Sequence, residues 1–262
     1  MSEKRTIAER DGPVGRMVFD NPKRLNAVSH SMWLDAVRIL KDFTADESVR
    51  AIVVTGAGLR AFSAGDDISG FEEGRGDADS EAIFKLASES AMELLANMPK
   101  PAVAMIRGYC IGGGLETAIT CDLRVAADSA RFAIPAARLG LGYDHAGIRR
   151  LVDLVGPSFA KEIFFTARQF SAREALDMGL IDRIAPESML EAEVAELTRT
   201  MTENAPLTLM TVKQCIVEDH KDPDHRDLDL CRRMVDECFA SVDYIEGRRA
   251  FMEKRKPAFQ GR

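Results

Sequence analysis

The chain of 262 residues sets 35 Lys and Arg against 42 Asp and Glu, for a formal charge of −7. No basic block accompanies that balance, which argues against nucleic acid as the main partner. Hydrophobic residues make up 46%, enough for a large core without disulfide staples, and no apolar run reaches the length of a membrane span. The five cysteines are odd in number and include no C-x-x-C pair, which fits reduced, unpaired thiols. The opening Met-Ser-Glu-Lys-Arg has no apolar leader core, so the expected location is the cytoplasm.

In chain order, residues 5–19 read as a hairpin. Thr6–Arg10 and Val14–Phe19 alternate around a turn at Asp11-Gly12-Pro13. Lys23–Ala27 is a loop, and Ser29 or Ser31 caps a helix in which Met32, Trp33, Val37, Leu40 and Phe43 recur at helical spacing. Ala51–Thr55 is a wholly apolar strand. Residues 56–79, rich in Gly and Asp, are expected to form a long functional loop, with Gly70, Gly74 and Gly76 suggesting a lid. A helix over 80–98 leads to the buried strand Ala102–Ile106.

From Arg107 the spacing predicts a turn into a helix, with Leu115, Ala118 and Ile119 on one side. Strands follow at Asp122–Ala126 and Arg131–Ile134, then a loop over 139–148. Helices are expected at 146–155, 157–166, 171–178, 187–203, 206–220 and 226–256, with an extended piece at 180–184. An α/β half thus precedes a helical half, with a soft boundary near 200 separating residues 1–200 from 201–262. The units 5–45 and 50–98 hint at stacked ββα turns.

Two stretches carry chemistry. Gly112, Gly113 and Gly114 stand where a strand turns into a helix, which leaves backbone N–H groups uncovered at a helix start. Glu116 lies in that first turn. Ala61-Phe-Ser-Ala-Gly-Asp-Asp-Ile68 follows another apolar strand, and its small Ala64-Gly65 exposes the N–H of Asp66. Paired with the N–H of Gly113, this makes a two-donor site for an oxygen that becomes negative during a reaction. The plainer reading is a pair of tight turns and a dipole-friendly glutamate.

These motifs, with Arg24-Leu-Asn-Ala27, Phe164-Phe-Thr-Ala167, Ala172–Leu180 and the tail Phe251-Met-Glu-Lys-Arg-Lys-Pro257, resemble the enoyl-CoA hydratase/isomerase (crotonase) superfamily over essentially the whole chain. The resemblance implies an α/β fold, a crotonase-like spiral of ββα turns followed by a C-terminal helical trimerisation region. It also implies a homotrimer or a dimer of trimers. The substrate it implies is an acyl-CoA, with coenzyme A entering as part of that substrate and no separate cofactor. The N–H groups of Asp66 and Gly113 match the family's oxyanion hole. Ala64, Asp67 and Ile68 match positions that hold the adenine end of CoA. Lys23, Arg24 and Ala27 match a loop beside its phosphates and pantetheine, and Phe251 and Lys254 match tail positions that reach CoA, often from a neighbouring subunit.

The acid/base positions depart from the pattern. Family hydratases use two glutamates; Glu116 is the first, but the second falls on Ala136, which cannot move a proton. Asp144 stands where family dienoyl-CoA isomerases carry their second acid and a family dehalogenase its nucleophile. Tyr143 stands where a family methylmalonyl-CoA decarboxylase is similar. The catalytic expectation is therefore Glu116 with Asp144 and Tyr143, and hydration or double-bond isomerisation of an enoyl-CoA as the reaction.

Alternatives are decarboxylation of a malonyl-type acyl-CoA, which a carboxylate at Asp66 would repel, or a non-catalytic acyl-CoA or RNA binder. The acidic balance and the mixed-charge helix at 31–45 speak against RNA. His145 is the one histidine beside a motif. Asp144 could instead cap the next helix, and Tyr143 could simply pack. His220, Lys221, Asp222, Asp224 and His225 lack metal-ligand spacing and read as a polar loop, so no metal is expected. Met189, Met201, Met210 and Met234 read as helix core.

Overall fold

A computed structural model describes residues 4–67 and 78–262; for 78–82 only the helical backbone is described. The strands are β1 (Arg5–Asp11), β2 (Val14–Asp20), β3 (Ala51–Gly56), β4 (Ala61–Ser63), β5 (Ala102–Ile106), β6 (Tyr109–Ile111), β7 (Leu123–Ala127), β8 (Arg131–Ala133), β9 (Phe170–Ser171) and β10 (Arg183–Ala185). The helices are α1 (His30–Ala45), α2 (Ala78–Asn97), α3 (Gly113–Thr120), α4 (Ala136–Leu139), α5 (His145–Thr166), α6 (Ala172–Asp177), α7 (Leu190–Glu203), α8 (Pro206–Asp219), α9 (Leu228–Ala240) and α10 (Val242–Glu253).

Two sheets result. One runs β1-β2-β3-β5-β7-β10, the other β4-β6-β8-β9. From β2 to β10 the first sheet is parallel, and β4, β6 and β8 are parallel in the second. Three times the chain lays a strand in the first sheet and the next in the second, as β3 then β4, β5 then β6, and β7 then β8. That is the spiral of turns. The hairpin β1–β2 is different: both its strands lie in the first sheet, paired antiparallel. The unit 5–45 is therefore not such a turn, although its sequence pattern suggested one.

The corners of the spiral are tight. Arg107 and Gly108 alone separate β5 from β6, and Gly108 has φ +55°, with Arg60 O only 2.0 Å from where a Cβ would stand. No side chain fits there. Between the sheets and the helices sits the core, where Phe19, Trp33, Phe62, Phe132 and Phe170 are fully buried. Trp33 and Phe62 both meet Phe19 edge-on, at 5.8 and 6.2 Å. Every residue of β3 is buried, because α7 covers the other face of the first sheet with Leu190 and Val194 against Val53, Val103 and Val125.

Several expectations change. Ala61–Ser63 and Tyr109–Ile111 are strands, where the sequence read as loop and incipient helix. Each is too short to display an alternating pattern, and each is defined by pairing with a distant partner. The helix expected over 226–256 is two helices, broken at Ser241, whose hydroxyl accepts from Tyr244 N and donates to Cys238 O. Conversely, the predicted break near 156 is real: Gly156 (φ 73°, ψ 166°) interrupts α5 ahead of Pro157. The extended piece of 180–184 lies slightly later, as β10. Met201, Met210 and Met234 are half-buried and Met189 is exposed, so none belongs to the fully buried core. The suggested lid glycines Gly70, Gly74 and Gly76 lie outside the described residues.

Candidate active site

The site forms where the β4 turn meets the start of α3. Asn26 builds its floor, and sequence reasoning passed over it. In a left-handed conformation (φ 57°), its side chain accepts from Asn21 N and donates to Ala57 O and Ala61 O, at 3.1, 2.9 and 2.7 Å. A buried amide with its partners satisfied fixes loop 21–28 against β4. A motif of the form Arg-Leu-Asn-Ala was the available signal.

Above that floor, Val28 N donates to Gly65 O (2.8 Å) and Asp67 N donates to Val28 O (2.9 Å). This is a parallel bridge centred on Asp66, so the N–H of Asp66 itself points away from Val28. On that other side lies Gly113: a Cβ on Gly65 would come 3.2 Å from Gly113 N. Gly113 opens α3, where an N–H has no acceptor within its own helix. The segments carrying the two backbone donors expected from the sequence thus adjoin, Gly65 packing on the start of α3. Their approach depends on Gly114, whose absent Cβ would lie 2.4 Å from Ser63 O.

Three acid/base candidates also converge. Glu116 Oε1, Asp144 Oδ1 and Tyr143 Cδ1 lie 3.0, 3.5 and 3.5 Å from a single point, the Cβ position of Gly147 in the first turn of α5. Burial, and next the Asp144 carboxylate, push the Glu116 carboxyl from 4.5 up to about 6, with Asp66 and Glu89 adding to the rise and Arg150 opposing it. Tyr143 packs edge-on to Phe164 at 5.0 Å, and burial drives its phenol well above its ordinary range. Asp144 is also the N-cap of α5, accepting from Gly147 N at 2.9 Å. The capping reading is therefore correct, and the cap leaves the second carboxylate oxygen for other work.

The exposed Asp66 places its carboxylate beside the start of α3. Its Oδ1 accepts from the Trp33 indole at 3.3 Å and lies 3.4 Å from the Cβ position of Gly113. Burial raises its pKa and the indole hydrogen bond opposes the rise. Ala136 is buried at the start of α4. His145 is exposed in the first turn of α5.

Among the CoA-contact candidates, Lys23 and Arg24 are exposed beside the cleft loop, Ala27 is buried and Ala64 half-buried. Asp67 is buried and paired with Lys4, an engagement the sequence did not indicate. Ile68 lies outside the described residues. Phe251 and Lys254 sit at the exposed end of α10, where Lys254 is the left-handed C-cap. Among the described residues, no three His, Cys, Asp or Glu side chains are grouped to hold a metal ion.

The family model for enoyl-CoA hydratase/isomerase matches residues 9–262. A short-chain-enoyl-CoA hydratase of Clostridium acetobutylicum is 32% identical over 261 residues, covering 98% of this chain and 97% of the relative. A carnitinyl-CoA dehydratase of Escherichia coli K12 is 33% identical over 258 residues, 97% of each chain. Among solved structures, an enoyl-CoA hydratase/carnithine racemase from Magnetospirillum magneticum superposes with a TM-score of 0.91 at 30% identity, covering 100% of this chain and 97% of that one.

Proposed function

Because the chain belongs to the enoyl-CoA hydratase/isomerase family, we propose that it adds water to, or shifts the double bond of, an enoyl-CoA. Its thioester oxygen would rest between the N–H groups of Asp66 and Gly113. Charge developing on that oxygen as an enolate forms would meet two fixed dipoles, which lowers the barrier by several kcal/mol. Glu116 exchanges one proton at the carbon chain. Asp144, assisted by Tyr143, serves the second proton in place of Ala136. Lys23, Arg24, Ala27, Ala64, Asp67 and Ile68 would flank the CoA moiety, with Phe251 and Lys254 closing on it across a subunit boundary.

One observation carries this reading. Glu116, in the first turn of the helix that Gly113 opens, has its carboxyl raised to about 6 and approaches Gly147 together with Asp144. A carboxyl so tuned can accept a proton at neutral pH and return it, which hydration and isomerisation both need. Decarboxylation needs no such base, and Asp66 would oppose a substrate carboxylate. A screen of acyl-CoAs in deuterated water, read by mass spectrometry, separates hydration, isomerisation and decarboxylation. Deuterium at Cα or added water that disappears with Glu116→Gln supports the proposal. Carbon dioxide release that survives this substitution would replace it with the decarboxylase reading, and acyl-CoA binding without any turnover would leave a binder.

We place the enzyme in the cytoplasm as a trimer or dimer of trimers. Support for assembly comes from Val212, Ile216, Leu228 and Phe239, which expose 52, 54, 53 and 60% of their surface along α8 and α9. Beside them a largely apolar groove of about 560 Å³ runs between α8, α9 and α10. No helix of the described residues is long and apolar enough to cross a membrane.

A further inference from the structure

We infer that Cys215 of α8 and Cys231 of α9 form a reversible oxidation site, where a hydroperoxide joins the two thiols into one disulfide that staples the helices within the chain. The inference concerns the helical half of the molecule and is independent of the acyl-CoA reading.

The register of the two helices places the pair. At one end, Thr211 Oγ1 lies 3.2 Å from Cys238 Sγ and donates to Met234 O at 3.4 Å. At the other end, the Glu218 carboxylate accepts from Asp227 N at 2.9 Å. The helices therefore run antiparallel, and the stretches between these contacts face each other. Cys215 stands one turn past Thr211, and Cys231 one turn past Asp227. The two thiols meet there and are hydrogen-bonded to each other. Sulfurs already in contact reach bonding distance by side-chain rotation, without moving a helix.

The other cysteines do not compete. Cys238 is two turns from Cys231 along α9, about 10 Å, which is beyond disulfide reach. It lies level with Thr211, a turn away from Cys215. Cys110 and Cys121 are buried in the core, and burial holds both thiols protonated. Cys215 and Cys231 are each half-buried, which admits a small oxidant.

The chemistry balances. The thiolate of one cysteine attacks a peroxide oxygen, the O–O bond breaks, and a sulfenic acid forms as the first water leaves. The second sulfur attacks that sulfenic sulfur, and its proton departs with the hydroxyl as the second water. The two sulfurs lose two electrons and the peroxide gains them. Partial burial, the adjoining sulfur and the carboxylates of Glu218 and Asp227 raise the Cys231 thiol above its ordinary range. The closure is therefore slow at neutral pH. The product fastens the open end of the α8–α9 hairpin across the turn at 220–227.

The test treats the full chain with hydrogen peroxide, blocks the remaining thiols with iodoacetamide in denaturant, and cuts with trypsin. Cleavage after Lys213, Lys221, Arg226 and Arg232 leaves Cys215 and Cys231 as the sole cysteines of peptides 214–221 and 227–232. Mass spectrometry should find these two peptides joined, two hydrogens below their summed mass and separated by dithiothreitol. The oxidised chain should melt about 5 °C above the reduced one. Cys215→Ser and Cys231→Ser should each lose both the link and the shift.

The same treatment of the chain in guanidinium chloride should scatter the pairings over all five cysteines, which shows that the oxidant is competent. A native chain that yields no such link while the denatured chain does would overturn the inference. So would a native link through Cys238, a link between two chains on a nonreducing gel, or an oxidised chain that melts no higher than the reduced one.

Discussion

Glu116 is held in two conflicting ways. Burial and its carboxylate neighbours resist its charge, while the proton abstraction proposed for it requires that charge. Because the folded value of about 6 lies above the ordinary 4.5, the native state holds the Glu116 proton more tightly than the unfolded chain does. Stability from this group is therefore complete below about pH 4, falls as pH rises through 6, and is flat above. The penalty at pH 8 is about 1–2 kcal/mol. Glu116→Gln should raise the melting temperature at pH 8 and leave it unchanged at pH 4, as read by differential scanning calorimetry. The same substitution should lower turnover by ~10²–10⁴-fold while acyl-CoA binding survives. The acid limb of kcat/KM should lie near pH 6 and move down in Asp144→Asn, because Asp144 is the largest charge raising Glu116. A limb that stays in place would separate the two carboxylates.

At the scale of elements, the site depends on where α3 and α5 begin. Asp144 caps α5, so this role and the one proposed for it in proton transfer can be separated by chemistry. Asparagine caps a helix nearly as well as aspartate, whereas alanine loses about 1 kcal/mol. Asp144→Asn should therefore melt like the wild type but turn over slowly, and Asp144→Ala should lose both. Denaturant titration beside steady-state kinetics distinguishes them, and full activity in Asp144→Asn would reassign the second proton. The start of α3 depends on Gly114, where an added Cβ would meet the backbone of Ser63. Gly114→Ala should cost about 2–4 kcal/mol and separate the two backbone donors. A variant as stable and active as the wild type would show that α3 can shift without harm.

For the whole molecule, α8 to α10 are tied to the spiral by few but definite bonds. Lys213 of α8 pairs with Asp122 at 2.9 Å, and Arg50 donates to Phe259 O in the tail beyond α10. Asp243 accepts from Gln260 N and Gly261 N, which folds the tail back on α10. These bonds hold the inner faces of the helices, while an outer apolar face stays uncovered in a single chain. Light scattering at micromolar concentration should give three or six times the mass of one chain. Glutamate at Val212 and Ile216 together should lower that mass and weaken CoA binding if Phe251 and Lys254 act across subunits. A monomer in the wild type would contradict the assembly.

The sequence by itself determined those features that rest on local pattern. The helical spacing of Met32 to Phe43, the buried run of β3, the break before Pro157 and the glycine run opening α3 are all encoded within a few residues. The two glycine turns, and the place of Glu116 in the first turn of α3, were legible for the same reason, since a small residue after an apolar strand has a local physical meaning. Tertiary structure alone decided the second sheet, because β4, β6 and β9 are two or three residues long and exist only through pairing with remote strands. It decided that both strands of the first hairpin share one sheet. It also decided which side chains meet. Glu116, Tyr143 and Asp144 meet at Gly147 because α3 and α5 pack together, and Asp66 is aimed by an indole more than thirty residues earlier in the chain. A pKa near 6 is likewise a property of the assembled cleft, since it arises from lost water and from charges that only folding brings near.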